Sequence, residues 1–542
     1  MDTLFYNGKI ITMAEETLEE AVRPEAVLIS NGLIKKVGSL EEVSRGLSSD
    51  VRSVDLQGKC LMPSFIDAHS HIVMNGQMSL TADLSECCSF EDIIDTLKQY
   101  AAEHKITNRE IIVGFGYDHN FLKEQAHPDK RILDKASTDI PIIIIHVSGH
   151  LYCANSVALN LAGISQETEN PPGGRLGRIC GSNEPSGYME EAGIALLQPV
   201  MQERIHIDAA LMMEKMQDVY IRQGITTVQD GASTKESFTI LKQMADLGKL
   251  KTDVVSYPLI NAEGTEIFEK NRQMDQKYRN HLKLGGYKII LDGSPQGRSA
   301  WLSEPYENGS GQDCGCAYYD DETVKKYLMQ AVQERKQILA HCNGDAASEQ
   351  FLNTYEQCME IFPDRSALRP VMIHCQTVRN DQLDRMAKLH MIASIFVGHV
   401  WYWGDVHQRN LGTARGNHIS PVKDAMDRKL TVNFHQDTPV TKPNMLHSVW
   451  CAVNRTSRTG KIIGKEQKIS VYDALKAVTI NAAYQYFEEN SKGSIEEGKA
   501  ADLVILDASP LEIEAERIKD IRVLETIKDG NTIFCAEKEE EK

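Results

Sequence analysis

Two histidines one residue apart, His69 and His71, close the apolar run CLMPSFIDAHSHI, which spans Cys60 to Ile72. On a β-strand side chains alternate faces, so both imidazoles point the same way and can reach one metal ion, while Ser70 points away. Other apolar runs end in groups of the same kind: His341 in QILAHCNGDAA, His374 in RPVMIHCQ and Asp437 in NFHQDTP, with Lys288 inside GGYKIILDG. Imidazole and carboxylate suit a borderline divalent ion such as zinc, and a site short of full protein coordination keeps room for water. Taken singly, a strand-end histidine is a hydrogen-bonded packing residue and a strand-end aspartate a helix cap. As an ordered series at successive strand ends they read as a metal centre.

Strands must carry these side chains, and the middle of the chain supplies them. Candidates are IIVGFGYD, PIIIIHVSGH, GITTVQDG, TDVVSYPLI, GGYKIILDG, QILAHCNG, RPVMIHCQ, MIASIFVGHV and LTVNFHQDTP. Amphipathic runs such as DAALMMEKMQDVYIRQ and ETVKKYLMQAVQERK lie between several of them. This alternation predicts an α/β architecture with enough units for a TIM-type (β/α)8 barrel, whose active sites gather at the carboxyl ends of the strands. The two chain ends read differently, as short strands with Asn7-Gly8, Asn31-Gly32 and Asp529-Gly530 as hairpin signals. Short hairpins do not bury a core alone. Residues 1–60 and 488–542 are therefore expected to build one composite β-sandwich domain beside a barrel at 61–487, with an insertion at about 111–199 over the active site.

Composition narrows the partners. Lys plus Arg number 59 against 77 Asp plus Glu in 542 residues, a net charge of −18 that argues against a nucleic-acid partner. The 12 cysteines form no CxxC pair or disulfide framework, which points to reduced thiols and a cytoplasmic location. The amino terminus lacks a basic, apolar leader and no later segment is apolar enough to span a bilayer, so no membrane is expected. The terminal EKEEEK reads as a solvated tail. The Gly-rich PPGGRLGR lacks the GxxxxGK[ST] order of a phosphate loop, and that reading is discarded.

Along nearly its whole length the chain resembles the amidohydrolase superfamily, and within it the YtcJ-like group that includes N-substituted formamide deformylases. The resemblance rests on NGKIITM, PSFIDAHSHI, SGHLYCANSVALNLAGI, PPGGRLGRICGSNEPSGYMEEA, GITTVQDG, YKIILDGSPQGRSAWLSEPY, HCNGDAA, HCQTV, TINAAYQ and GSIEEGKAADLVILD. HCNGDAA stands where HAIGDRA is usual and HQDTPV where GSDSPV is common, with the histidine and aspartate kept. The resemblance implies two divalent ions, zinc first with manganese or iron as alternatives. His69, His71 and Asp437 would hold the first ion and His341 and His374 the second, with Lys288 carbamylated by carbon dioxide and bridging both. Beside two cations an ammonium is repelled, whereas a carbamate is an anionic bridge; the plain alternative is a lysine paired with Asp292.

The chemistry implied is hydrolysis of a C–N bond, an amide such as an N-formyl or N-acyl amine, by metal-bound hydroxide, with Asp437 accepting the proton and returning it to the departing amine. Asp118, His119, His146 and His150 in GYDH and HVSGH, Arg298 after the lysine strand, and Trp401 in the WYW cluster are candidates for the substrate pocket, each with packing as its alternative. The expected partner is a small molecule, with a homodimer left open. Two other functions compete. A mononuclear deaminase of the superfamily carries His-x-x-Glu, but His341 is followed by Cys342, Asn343 and Gly344. An inactive barrel used as a binding scaffold would show missing ligands, and every position here is filled.

Overall fold

The apolar runs of the middle segment become parallel strands, each buried on both faces, which is why they read as continuous rather than alternating hydrophobics. The computed structural model describes residues 2–205, 209–307 and 311–537, so residues 538–542 of the expected solvated tail lie outside the described residues. The chain divides into two compact units, one of residues 1–73, 217–438 and 442–542, the other of 74–216 and 439–441.

In the first unit, Phe65–Ile66, Ile225–Ser233, Asp253–Pro258 and Leu282–Leu284 form one parallel sheet. Gly286–Ile290, Gln337–Cys342, Val371–His374, Ile392–Ile395 and Thr431–Phe434 form a second. Gly285 separates the sheets, and a Cβ there would lie 2.4 Å from the Tyr257 ring, so only glycine lets the chain pass. The two sheets are tied where Ile260 N–H donates to the Lys288 carbonyl at 2.9 Å. Among the described residues no ladder joins Thr431–Phe434 to Phe65–Ile66; beyond their ends, His71 N–H donates to the Thr438 carbonyl at 2.8 Å. Ile66, Val255, Leu339, Val371, Ile373 and Ile392 pack with Ala482 and Tyr486 into one cluster. Burial of each large aliphatic side chain there contributes about 1.5–3 kcal/mol. Helices return the chain between strands, Asp321–Gln333 for example, whose Asp320 side chain accepts from Thr323 N–H at 2.8 Å and so satisfies an open helix-start donor.

The chain ends form two more sheets in this unit. One takes Leu33–Gly38, Ala26–Ser30, Thr3–Tyr6 and Arg52–Asp55; the other takes Lys9–Ile10, Cys60–Pro63, Leu503–Leu506, Val523–Lys528 and Asn531–Cys535. Both contribute to one cluster of Phe5, Val27, Ile29, Leu61, Leu503 and Ile527. Asn31-Gly32 and Asp529-Gly530 close hairpins with positive φ at all four residues. Asn7-Gly8 does not. Thr3–Tyr6 pairs with Ala26–Ser30 and Lys9–Ile10 with Cys60–Leu61, so this turn carries the chain from one sheet to the other.

The second unit holds a six-stranded mixed sheet ordered Gly174–Arg178, Pro185–Glu191, Leu151–Ala154, Ile142–His146, Ile112–Tyr117 and Ala82–Asp83. Alternate residues of Ile142–His146 feed two clusters, Ile142 and Ile144 on one face, Ile143 and Ile145 on the other. Two of the nine strand runs read from the sequence thus belong to a sheet of their own. Among the described residues no helix is long and apolar enough to cross a membrane.

Candidate metal centre

His69 and His71 lie past the end of Phe65–Ile66 rather than on a continuing strand, yet they converge as a strand would place them. Their Nε2 atoms each stand 3.3 Å from Asp437 Oδ1. Ser70 points away, its hydroxyl donating to the Gln229 carbonyl at 3.1 Å. The other ring nitrogens face acceptors: His69 Nδ1 is 2.6 Å from Gln229 Oε1 and His71 Nδ1 2.5 Å from the Gly231 carbonyl. Both rings therefore carry their proton on Nδ1 and turn the Nε2 lone pair inward. Gly231 is required, because a Cβ there would sit 2.6 Å from His69 Cε1.

Asp437 follows Thr431–Phe434, and its Oδ1 has no hydrogen-bond donor although it is buried. His374 Nε2 stands 3.9 Å from Asp437 Oδ2. His374, Cys375 and Asp437 all have φ in the left-handed region, at 79°, 50° and 53°. Non-glycine residues hold such backbone at a cost of about 1–3 kcal/mol each, and it collects at functional sites.

His341 is the last residue but one of Gln337–Cys342, beside Val371–His374, with Cys342 paired to His374 in the ladder. His341 Nε2 faces the Gly293 carbonyl at 3.2 Å, leaving Nδ1 only 2.9 Å from His374 Nε2. The intervening loop is pinned by Asp292, whose carboxylate accepts from the backbone N–H groups of Asn343, Gly344 and Trp301 at 3.0, 2.7 and 3.1 Å. Lys288 points into the same space with Nζ 3.2 Å from His69 Nε2. Burial pushes its amine down to about 8, with Asp437 opposing that shift. His69 and His374 are held neutral, both by burial first, then by Lys288 beside His69 and by His341 beside His374.

The donor set fits divalent ions. A tetrahedral ion bound at about 2.0–2.1 Å has ligand atoms about 3.3–3.4 Å apart, close to the 3.3 Å from either Nε2 to Asp437 and near the 2.9 Å between His341 and His374. Lone pairs from two imidazoles facing a donorless buried carboxylate oxygen repel one another until a cation sits between them.

His435 was not among the residues read from the sequence. It is fully buried two residues before Asp437, its ring centroid 5.2 Å from that of His69 and 5.1 Å from that of His374. Neither ring nitrogen has a hydrogen-bond partner, and burial drives its pKa down to about 3. Gln229 and Gly231 were also missed, since they act across 160 residues of sequence.

The residues expected to line the substrate pocket have these immediate neighbours. Arg298 pairs with Asp313 at 2.5 Å and lies over the Tyr306 ring. Trp401 packs against Trp450 and His447, with Lys519 over its ring. His150 Nδ1 meets Glu191 at 2.9 Å in the second unit, where Asp118, His119 and His146 form a group of their own.

Residues 52–534 match the amidohydrolase family. The chain is 26% identical to the putative amidohydrolase YtcJ of Bacillus subtilis (strain 168), covering 98% of this chain and 99% of that protein. It is 25% identical to the N-substituted formamide deformylase of Arthrobacter pascens, covering 93% and 94%. Among solved structures, an uncharacterized metal-dependent hydrolase from Pyrococcus horikoshii OT3 is 25% identical with a TM-score of 0.74, covering 95% of this chain and 99% of that one.

Proposed function

Because the chain belongs to the amidohydrolase family, we propose that it is a metal-dependent hydrolase that cleaves a C–N bond of a small molecule, an amide of the N-formyl or N-acyl amine type. The observation that carries this reading is the meeting of His69 and His71 on one oxygen of Asp437, each at 3.3 Å, with Lys288 at 3.2 Å from His69 and His374 beside the same carboxylate. Divalent ions, zinc first, held by His69, His71 and Asp437 and by His341 and His374, would polarise the scissile carbonyl and lower the pKa of water.

The chain's own residues do the rest. Gln229 and the Gly231 carbonyl fix the tautomers of His69 and His71, so their donor atoms need no rearrangement. Lys288, with its pKa lowered to about 8, exposes a neutral fraction of amine to carbon dioxide. Addition of that nitrogen lone pair to carbon dioxide, with loss of one N–H proton to solvent, would yield a carbamate, an anionic group able to serve as a bridging ligand. Asp437 accepts the proton of the attacking water and passes it to the amine as the C–N bond breaks.

In this reading the parallel segments between Phe65 and Phe434, with Leu282–Leu284 and Gly286–Ile290 taken as one stave, are the eight staves of a (β/α)8 barrel at 61–487, and the terminal sheets are the layers of a β-sandwich. The partner is a small molecule and the setting the cytoplasm. The test is a panel of N-formyl, N-acetyl and N-acyl amines and cyclic imides, incubated with enzyme plus zinc or manganese and assayed for released amine or acid. Turnover of an amide supports the reading; ammonia released from purine or pyrimidine amines alone contradicts it and favours a deaminase.

A further inference from the structure

Residues 74–216 carry a second group of nitrogen and oxygen donors with the spacing of a metal site, which shares no residue with the first centre. Asp118 and His119 follow the strand Ile112–Tyr117, and His146 ends the neighbouring parallel strand Ile142–His146. A register shift pairs His146 with Tyr117, so the tip of one strand lies beside the first residues past the other.

The donor atoms form a small triangle. His119 Nδ1 lies 3.2 Å from His146 Nε2, His146 Nε2 lies 3.4 Å from Asp118 Oδ1, and His119 Nδ1 lies 3.8 Å from Asp118 Oδ1. Ligands of a tetrahedral ion with bonds of about 2.0–2.1 Å stand about 3.3–3.4 Å apart, so one ion fits with little movement. Neighbours hold each donor. The backbone N–H and side-chain amide of Asn120 donate to Asp118 Oδ1 at 2.9 and 3.0 Å. Ser148 Oγ sits 2.9 Å from His146 Nδ1, where it can take the proton that an Nε2-ligating imidazole carries on Nδ1. Ser148 N–H donates to that nitrogen at 3.1 Å, so ligation through Nε2 moves the ring proton from Nε2 to Nδ1, with Ser148 Oγ as its acceptor. The His127 ring lies against His119 at 4.0 Å, its Nδ1 3.0 Å from the Tyr117 hydroxyl. His146 is fully buried and Asp118 nearly so, while His119 keeps a fifth of its side chain exposed, which gives an ion a way in.

We propose that Asp118, His119 and His146 bind a divalent transition ion, zinc first, through three protein donors, with a fourth position for water or a small-molecule donor. The site does not rest on the hydrolase reading. A triad held only by hydrogen bonds, with His146 Nε2–H donating to Asp118, is the competing account.

The experiment compares the zinc content of the full chain with that of His146→Gln and Asp118→Asn, each loaded with zinc, desalted and checked for native circular dichroism. Each variant is expected to hold one equivalent less than the parent chain. In a chain carrying His69→Ala and His374→Ala, cobalt is expected to give the visible bands of a tetrahedral ion, and adding His146→Gln removes them. Equal zinc in the folded parent chain and folded His146→Gln overturns the proposal and leaves the hydrogen-bonded triad only.

Discussion

Asp437 Oδ1 stands 3.3 Å from His71 Nε2, although the sequence separates them by more than 360 residues, and it has no hydrogen-bond donor in its buried position. In the proposed mechanism the carboxylate is both a metal ligand and the base. Asp437→Asn keeps the shape and one oxygen donor but cannot take a proton. Turnover is expected to fall by about 10²–10⁴-fold while bound metal stays near that of the parent chain. Near-normal turnover in a metal-replete Asp437→Asn chain removes the residue from the mechanism.

The positions of His69 and His71 depend on neighbours that never touch an ion. Gln229→Leu removes the acceptor for His69 Nδ1–H, and zinc affinity measured by chelator competition is expected to weaken about 10–100-fold. Gly231→Ala places a methyl group 2.6 Å from His69 Cε1 and should lower metal content further, by displacing the ring. Unchanged affinity in both variants means that these contacts do not position the ligands.

Lys288 is asked to become an anion. Lys288→Ala is expected to lose turnover by at least about 10²-fold, on the scale of a lost charge-stabilising group, and to recover part of it with added short-chain carboxylic acids, which restore a bridging carboxylate. A Lys288→Ala chain that turns over at the parent rate without additive contradicts the carbamate.

Away from the site, His281 Nδ1 lies 2.7 Å from the buried carboxylate of Asp253. That hydrogen bond raises the histidine pKa against the effect of burial. Folding therefore favours the protonated ring, so its stabilisation is complete below the ordinary histidine value of about 6.5 and fades as pH rises through the higher folded value. Melting curves of the parent chain and His281→Gln should be well separated at about pH 5.5 and draw together as pH rises through the raised folded value. A gap that widens with pH reverses the sign and refutes the assignment.

The sequence was informative where a polar residue interrupts a buried strand. His341, His374 and Asp437 stand out for that reason, and the structure brings them together with His69, His71 and Lys288. His435 carries no signal separate from that of Asp437, because the two share one strand end. Gln229 and Gly231 carry no signal of their own, since a backbone carbonyl and a missing Cβ are visible only once the strands are paired. IIVGFGYD and PIIIIHVSGH have the same apolar run and polar tip as the other strands, so nothing local assigns them to the separate six-stranded sheet. Asn7-Gly8 has hairpin chemistry, but pairing partners far along the chain decide where its flanking strands go.

The central claim is that His69, His71, Lys288, His341, His374 and Asp437 together hold two divalent ions. An anomalous difference map at the zinc edge, from crystals of the zinc-loaded full chain, tests it most directly. Two peaks are expected, one between His69, His71 and Asp437 and one between His341 and His374, with density for a carbamate on Lys288 between them. No peak among these six residues, in crystals that bind zinc elsewhere, would contradict the account.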